Sequence, residues 1–221
     1  MARRWRREHH HLRHRNQRPA LYKEPSEDPR QPHIVELAAL LYDDQTGEQN
    51  GHLHSIIRPD GWTIPDDVAE IHGITTERAM DEGRPEAEVL AEFLELHSRC
   101  ALRVAHNEAF DQRIVRIAIK RFGDRLPGWM GYSQERKDEM ADVFKAAPKY
   151  CTMKAATKPC DLPPTPAMLA RGMKWNKNPS MSEAYLHFTG KDLGEDAHSA
   201  LFDARACAEV YFAMNPVAVA A

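Results

Sequence analysis

From Pro32 onward, short apolar runs of strand length alternate with segments of helical period, and that alternation restricts the chain to an α/β architecture. The run HIVELAALLYD, from His33 to Asp43, is followed by the turn residues of DDQTGEQNG and then by HLHSIIRP, which together predict a β-hairpin. IPDDVAEIHGIT reads as a short helix and loop with Asp66 and Asp67 in its first turn. RPEAEVLAEFLELHSR sets Val89, Leu90, Phe93, Leu94 and Leu96 at helical spacing behind Pro85. ALRVAH is a short buried strand, and NEAFDQRIVRIAIKRFG restores the helical period up to Gly123, a candidate C-cap. Residues 124 to 179 are broken by Pro and Gly and predict a short helix, an edge strand around Tyr150 to Met153, and long loops. SMSEAYLHFTG is a helix stopped by Gly190, and HSALFDARACAEVYFAM is a closing helix. The expected fold is a mixed β-sheet flanked by helices, without internal repeats.

With 221 residues, 42% of them hydrophobic, the chain suits one domain with a sizeable core. No run approaches the roughly 18 apolar residues of a membrane span, and the start has no apolar secretory region, so a cytoplasmic protein is the expectation. Cys100, Cys151, Cys160 and Cys207 show no CxxC pairing, which fits reduced thiols better than a disulfide framework or a zinc site. Charge is unevenly spread. Residues 1 to 20 hold seven Arg against one Glu, a balance of +6 in a chain of net charge −3, so the remainder carries −9. A domain this acidic binds nucleic acid only through metal ions or a local basic groove. Lys145, Lys149, Lys154 and Lys158 give residues 124 to 179 a modest basic character, either a solvated face or a binding stripe.

Two segments hold polar residues where burial would call for apolar ones. In VAHNEAFD a strand ends in His106 and Asn107, and Asp111 follows one helical turn later. In HSALFDA, His198 and Asp203 stand on neighbouring turns at the start of the last helix. Taken singly, either Asp is explained by the field of a helix N-terminus, and Asn107 by N-capping. Taken together, carboxylates from two helices, expected to pack side by side, suit a hard cation such as Mg²⁺ or Mn²⁺, with a His as general base toward water.

AHNEAFD resembles the second motif, and HSALFDA the third, of the DEDDh-type 3′–5′ exonucleases, the family of the proofreading epsilon subunit of bacterial DNA polymerase III. The resemblance extends through IVELAALLYD, IPDDVAEIHGIT and SEAYLHFTGKDL, roughly residues 21 to 214, leaving 1 to 20 as an atypical basic segment and 215 to 221 as a tail. It implies a ribonuclease H-like fold and hydrolysis of terminal phosphodiesters by two Mg²⁺ or Mn²⁺ ions about 4 Å apart. Asp111 and Asp203 would be metal carboxylates, His198 the base, and His106 and Asn107 would lie along the substrate strand. Nucleic-acid 3′ ends, single-stranded DNA above all, are the implied substrate, and a DNA polymerase the implied partner. A non-catalytic nucleic-acid-binding or polymerase-associated module on the same fold is the alternative.

The family's first motif, D-x-E on an apolar first strand, is missing. HHHLRHRNQRPA stands in its place, and before Val35 only SED comes near, in a Pro-flanked loop and in the wrong order. Leu12 to Pro19 can be encoded so that reading one nucleotide later gives Phe-Asp-Thr-Glu-Thr-Ser-Gly-Leu, with the three histidines becoming isoleucines. An out-of-frame start joined to the true frame near Ala20 is therefore the expected origin of residues 1 to 20. A basic arm, a cloning tag and a His-rich metal site are the other readings. With two of four carboxylates, a two-metal mechanism is expected to fail or to be severely weakened.

Overall fold

The computed structural model describes the backbone of residues 8–16, and residues 20–126, 133–194 and 199–216 in full. In chain order the elements are β1 (Glu8–Asn16), β2 (Ile34–Asp43), β3 (Gln49–Arg58), α1 (Asp66–His72), α2 (Thr76–Glu82), β4 (Arg84–Pro85), α3 (Glu86–Ser98), β5 (Leu102–Ala105), α4 (Glu108–Phe122), α5 (Gln134–Ala146), β6 (Lys149–Cys151), α6 (Thr152–Cys160), α7 (Pro166–Ala170), α8 (Met181–Thr189) and α9 (Ala200–Met214).

One mixed sheet organises them, in the order β4-β3-β2-β1-β5-β6. The predicted hairpin is β2 and β3, paired antiparallel through Ala39↔Leu53. β1 runs antiparallel to β2 and parallel to β5, so the segment that its charge sets apart contributes a central strand. The alternation of side chains along β2 defines two cores. Leu37, Ala39 and Leu41 pack with Phe93 of α3, Ile114 and Ile117 of α4, and Phe144 of α5. Ala38 and Leu40 pack on the other face against Ala200 and Ala204 of α9. Val104 of β5 joins this second side, with Tyr185 of α8 and Val210 of α9. β2 is thus covered on both faces, which is why IVELAALL reads as a continuous apolar run instead of alternating.

Helix ends follow local chemistry. Ser180 accepts from the Glu183 amide while the Glu183 carboxylate accepts from Ser180, a reciprocal capping box at the start of α8. Gly190 ends that helix in the left-handed region at φ 71°. Ser180→Ala is expected to cost about 1 kcal/mol, seen as a fall of roughly 2–4 °C in a thermal melt.

Gly123 does close α4, but in the right-handed region. A Cβ there would come within 2.7 Å of both the Ile119 carbonyl oxygen and Cγ of Lys137, so close packing of α5, and not a left-handed cap, requires the glycine. The expected edge strand is β6 at the sheet margin, but it stops at Cys151; Thr152 and Met153 begin α6. α6 and α7 stand where loops were expected, and α2 occupies a stretch that carries no periodic pattern. Pro159 lies in the last turn of α6 and so leaves the earlier turns intact. None of the four cysteines forms a disulfide. Among the described residues, no helix is long and apolar enough to cross a membrane.

Candidate active site

The carboxyl end of β1 and β5 coincides with the start of β2, because β1 is parallel to β5 and antiparallel to β2. Both helices that carry the motif carboxylates begin at this edge. α4 leaves directly from β5 and brings Asp111, which is fully buried, into its first turn. α9 starts beside β2 and carries Asp203, 4% exposed, in its own first turn. Each carboxylate lies in the favourable field of a helix N-terminus. The helices do not pack side by side as expected; they lie on opposite faces of the sheet and converge at its edge.

Asn107 occupies the N-cap position of α4 without capping it through its side chain. Its backbone is left-handed, φ 68° and ψ 48°, a conformation that Asn tolerates better than most residues and that turns the chain sharply from strand into helix. Its side chain is exposed at that turn. His106 is buried instead of lying open to a strand. Its Nδ1 is 3.0 Å from the Thr152 hydroxyl and its Nε2 is 3.1 Å from the Pro179 carbonyl oxygen. A carbonyl can only accept, so Nε2 carries the hydrogen. Both ring nitrogens are engaged inside the protein, and His106 is a strut joining β5, α6 and the segment before α8. His198 lies outside the described residues.

A residue that sequence reading passed over anchors the edge. Glu36, 3% exposed on β2, places Oε1 2.8 Å from Nε2 of His54, while Oε2 accepts from the Ala200 amide at 2.8 Å. That amide is the first of α9, so a buried carboxylate satisfies one of the helix's open donors, and the Ser199 hydroxyl takes the Phe202 amide. The signal in the sequence was a lone Glu in the midst of IVELAALL.

The segment after β1 is tied to α4. The Arg113 guanidinium donates to the carbonyls of Leu21 and Glu24, Arg121 to those of Gln31 and Pro32, and Lys120 pairs with Glu27. Tyr22 sits in this segment near the site; desolvation holds its phenol above the ordinary range, with Arg113 pulling it down and the charge of Asp111 pushing it up.

In the register of β1, position 13 stands opposite Ala38 and position 15 opposite Glu36. Directly opposed residues of an antiparallel pair share a face, so these two positions belong to the face that α9 covers. Both are Arg. Among the described residues, no group of three His, Cys, Asp or Glu could hold a metal ion. Asp111 and Asp203 are oxygen donors of the kind Mg²⁺ or Mn²⁺ takes, but two carboxylates do not make a two-ion centre, and the residues present do not fit one.

A mixed sheet with helices on both faces and acidic helix starts gathered at one edge defines a ribonuclease H-like α/β fold. The exonuclease family model of the RNase T type matches residues 26–211, and the chain belongs to that family. No curated protein matches it in sequence. Among solved structures it is similar to E. coli exonuclease I complexed with single-stranded DNA, at 17% identity and a TM-score of 0.62 over 96% of this chain and 41% of that one. The apo form of exonuclease I matches at 17% identity and a TM-score of 0.60, over 95% and 42%. A full-length 3′-exonuclease matches at 14% identity and a TM-score of 0.56, over 97% and 62%. The chain thus spans about two-fifths of the length of exonuclease I.

Proposed function

We propose that this is the exonuclease domain of a DEDDh-type 3′–5′ exonuclease, acting on nucleic-acid 3′ ends and on single-stranded DNA in particular, and that residues 1 to about 20 are translated from a shifted frame. The register of β1 carries this reading: positions 13 and 15, where a shifted frame can encode Asp and Glu, belong to the face covered by α9, the helix of Asp203. Exonuclease I in complex with single-stranded DNA supports the choice of substrate. The resemblance of AHNEAFD and HSALFDA to the family of the proofreading subunit makes a DNA polymerase a candidate partner. Two Mg²⁺ or Mn²⁺ ions are the expected cofactors, and Asp111 and Asp203 are the donors that this chain retains. His198 is the expected general base. As written, with Arg at positions 13 and 15, the chain is expected to be inactive or nearly so.

The coding DNA is the first test. Reading one nucleotide later across residues 9 to 19 is expected to give an apolar strand followed by D-x-E, and a shifted frame without D-x-E would end the idea. A non-catalytic nucleic-acid-binding module is the second reading, favoured by the two arginines themselves. Asp203→Ala in the frame-restored chain separates the two: it is expected to abolish release of 3′ nucleotides while leaving oligonucleotide binding in place, whereas a binding module releases none with or without Asp203.

A further inference from the structure

A cavity of about 580 Å³ opens between the start of β2, the end of β3 and the last turn of α4, and it is lined by none of the residues assigned above to catalysis. Arg121 and Phe122, on its wall, are ten and eleven residues along α4 from Asp111, about 15–17 Å at helical rise. We propose that this cavity is a nucleotide-binding site separate from the catalytic edge.

One side of it is aromatic and held rigid. The His33 ring stacks on Trp62 with centroids 4.7 Å apart and planes within 12°. Nδ1 of His33 is 2.9 Å from the buried Glu86 carboxylate, whose other oxygen accepts from the Ile34 amide at 3.3 Å. Rigid aromatic surface receives a planar base at little cost in conformational entropy. The other side is cationic. Arg121 is fixed by the backbone carbonyls of Gln31 and Pro32, and the Arg125 guanidinium lies 5.8 Å from the Phe122 ring centroid. Arg58 and Arg125 are exposed, and among the described residues neither has a carboxylate within ion-pairing distance. Guanidinium groups beside an aromatic wall match a phosphate attached to a base. Of the two acids on the lining, Glu86 is engaged by His33, which leaves Asp60 as an acceptor for a base amino group.

The ligand is a base joined to a phosphate, whether a free nucleoside monophosphate or one nucleotide of a bound strand. The site depends on binding alone and stands whether or not the chain hydrolyses nucleic acid.

Calorimetric titration of the full chain in EDTA, which removes metal-dependent binding at Asp111 and Asp203, tests it with dAMP, inorganic phosphate and a dT oligonucleotide. Binding of dAMP is expected to exceed that of phosphate and to weaken at least about tenfold in the Arg58→Ala, Arg125→Ala double variant, the loss of one charge-assisted hydrogen bond. Asp203→Asn is expected to leave it unchanged. These arginines are exposed, so a thermal melt matching the parent shows that the fold is retained. Oligonucleotide binding that exceeds dAMP binding and falls by the same factor identifies a strand as the occupant; oligonucleotide binding that the double variant leaves unchanged, while dAMP is lost, identifies the free nucleotide. No dAMP binding, or equal dAMP binding by parent and double variant, overturns the proposal.

Discussion

Restoring residues 9 to 19 to the shifted frame, with His9, His10 and His11→Ile, Leu12→Phe, Arg13→Asp, His14→Thr, Arg15→Glu, Asn16→Thr, Gln17→Ser, Arg18→Gly and Pro19→Leu, is expected to raise Mg²⁺-dependent degradation of single-stranded DNA from the 3′ end by on the order of a thousandfold or more. That corresponds to about 4 kcal/mol of barrier, a modest demand when loss of one stabilising donor in an active site commonly costs a hundredfold or more. At positions 13 and 15 alone the change replaces two positive charges by two negative ones on the face that α9 covers. The measurement is release of 3′ nucleotides from a 5′-labelled strand. Equal, Asp203-dependent activity in both chains would sink the reading.

The same substitutions are expected to raise the melting temperature. A strand between β2 and β5, in a sheet with helices packed on both faces, calls for apolar residues, and β2 supplies them where EHHHLRHRN does not. Each fully buried Ile or Phe contributes about 1.5–3 kcal/mol relative to an exposed one. Activity and stability therefore report on different parts of the restored segment: activity on positions 13 and 15, stability on positions 9 to 12.

Elements with strong periodicity were legible in the sequence: the β2–β3 hairpin, α3, α4, α8 and α9 stand where apolar spacing put them. α2 and α6 were not, for different reasons. TERAMDE is too short to display a period, although Thr75 caps it by accepting from the Arg78 amide. Pro159 in α6 reads as a breaker unless it is known to fall in the last turn. At the site, the types and order of the motif residues were legible, but their partners were not. His106 is held by Thr152 and Pro179, 46 and 73 residues away, and Glu36 by the Ala200 amide, 164 away. Such partners meet only through the sheet order, and a residue that looks like a ligand contact can be spent on internal bonds.

Glu108→Ala is expected to destabilise the chain by about 3–5 kcal/mol, the usual consequence of removing one member of a buried ion pair, and to lower its melting temperature by roughly 6–20 °C. Arg103 is fully buried on β5, and its Nε and Nη2 donate to Oε1 of Glu108 at 3.0 and 2.6 Å. Nη1 donates to the Phe144 carbonyl at 2.9 Å, and the guanidinium carbon lies 4.2 Å from the Phe144 ring centroid. One cation thus joins β5, the first residue of α4 and the end of α5. Without Glu108 the guanidinium keeps the carbonyl and the ring but loses its counter-charge, and no water can replace it without opening the core. Replacing both partners by apolar residues, Arg103→Met with Glu108→Leu, is expected to recover much of that loss, since no unpaired charge is then left buried. Thermal melts of the single and double variants separate the value of the pair from the cost of orphaning one half. Because Glu108 and Asp111 share the first turn of α4, the frame-restored double variant also tests whether the turn from strand to helix needs the ion pair to hold Asp111 at the sheet edge: a recovered melting temperature without recovered nucleotide release would assign the pair a positioning role.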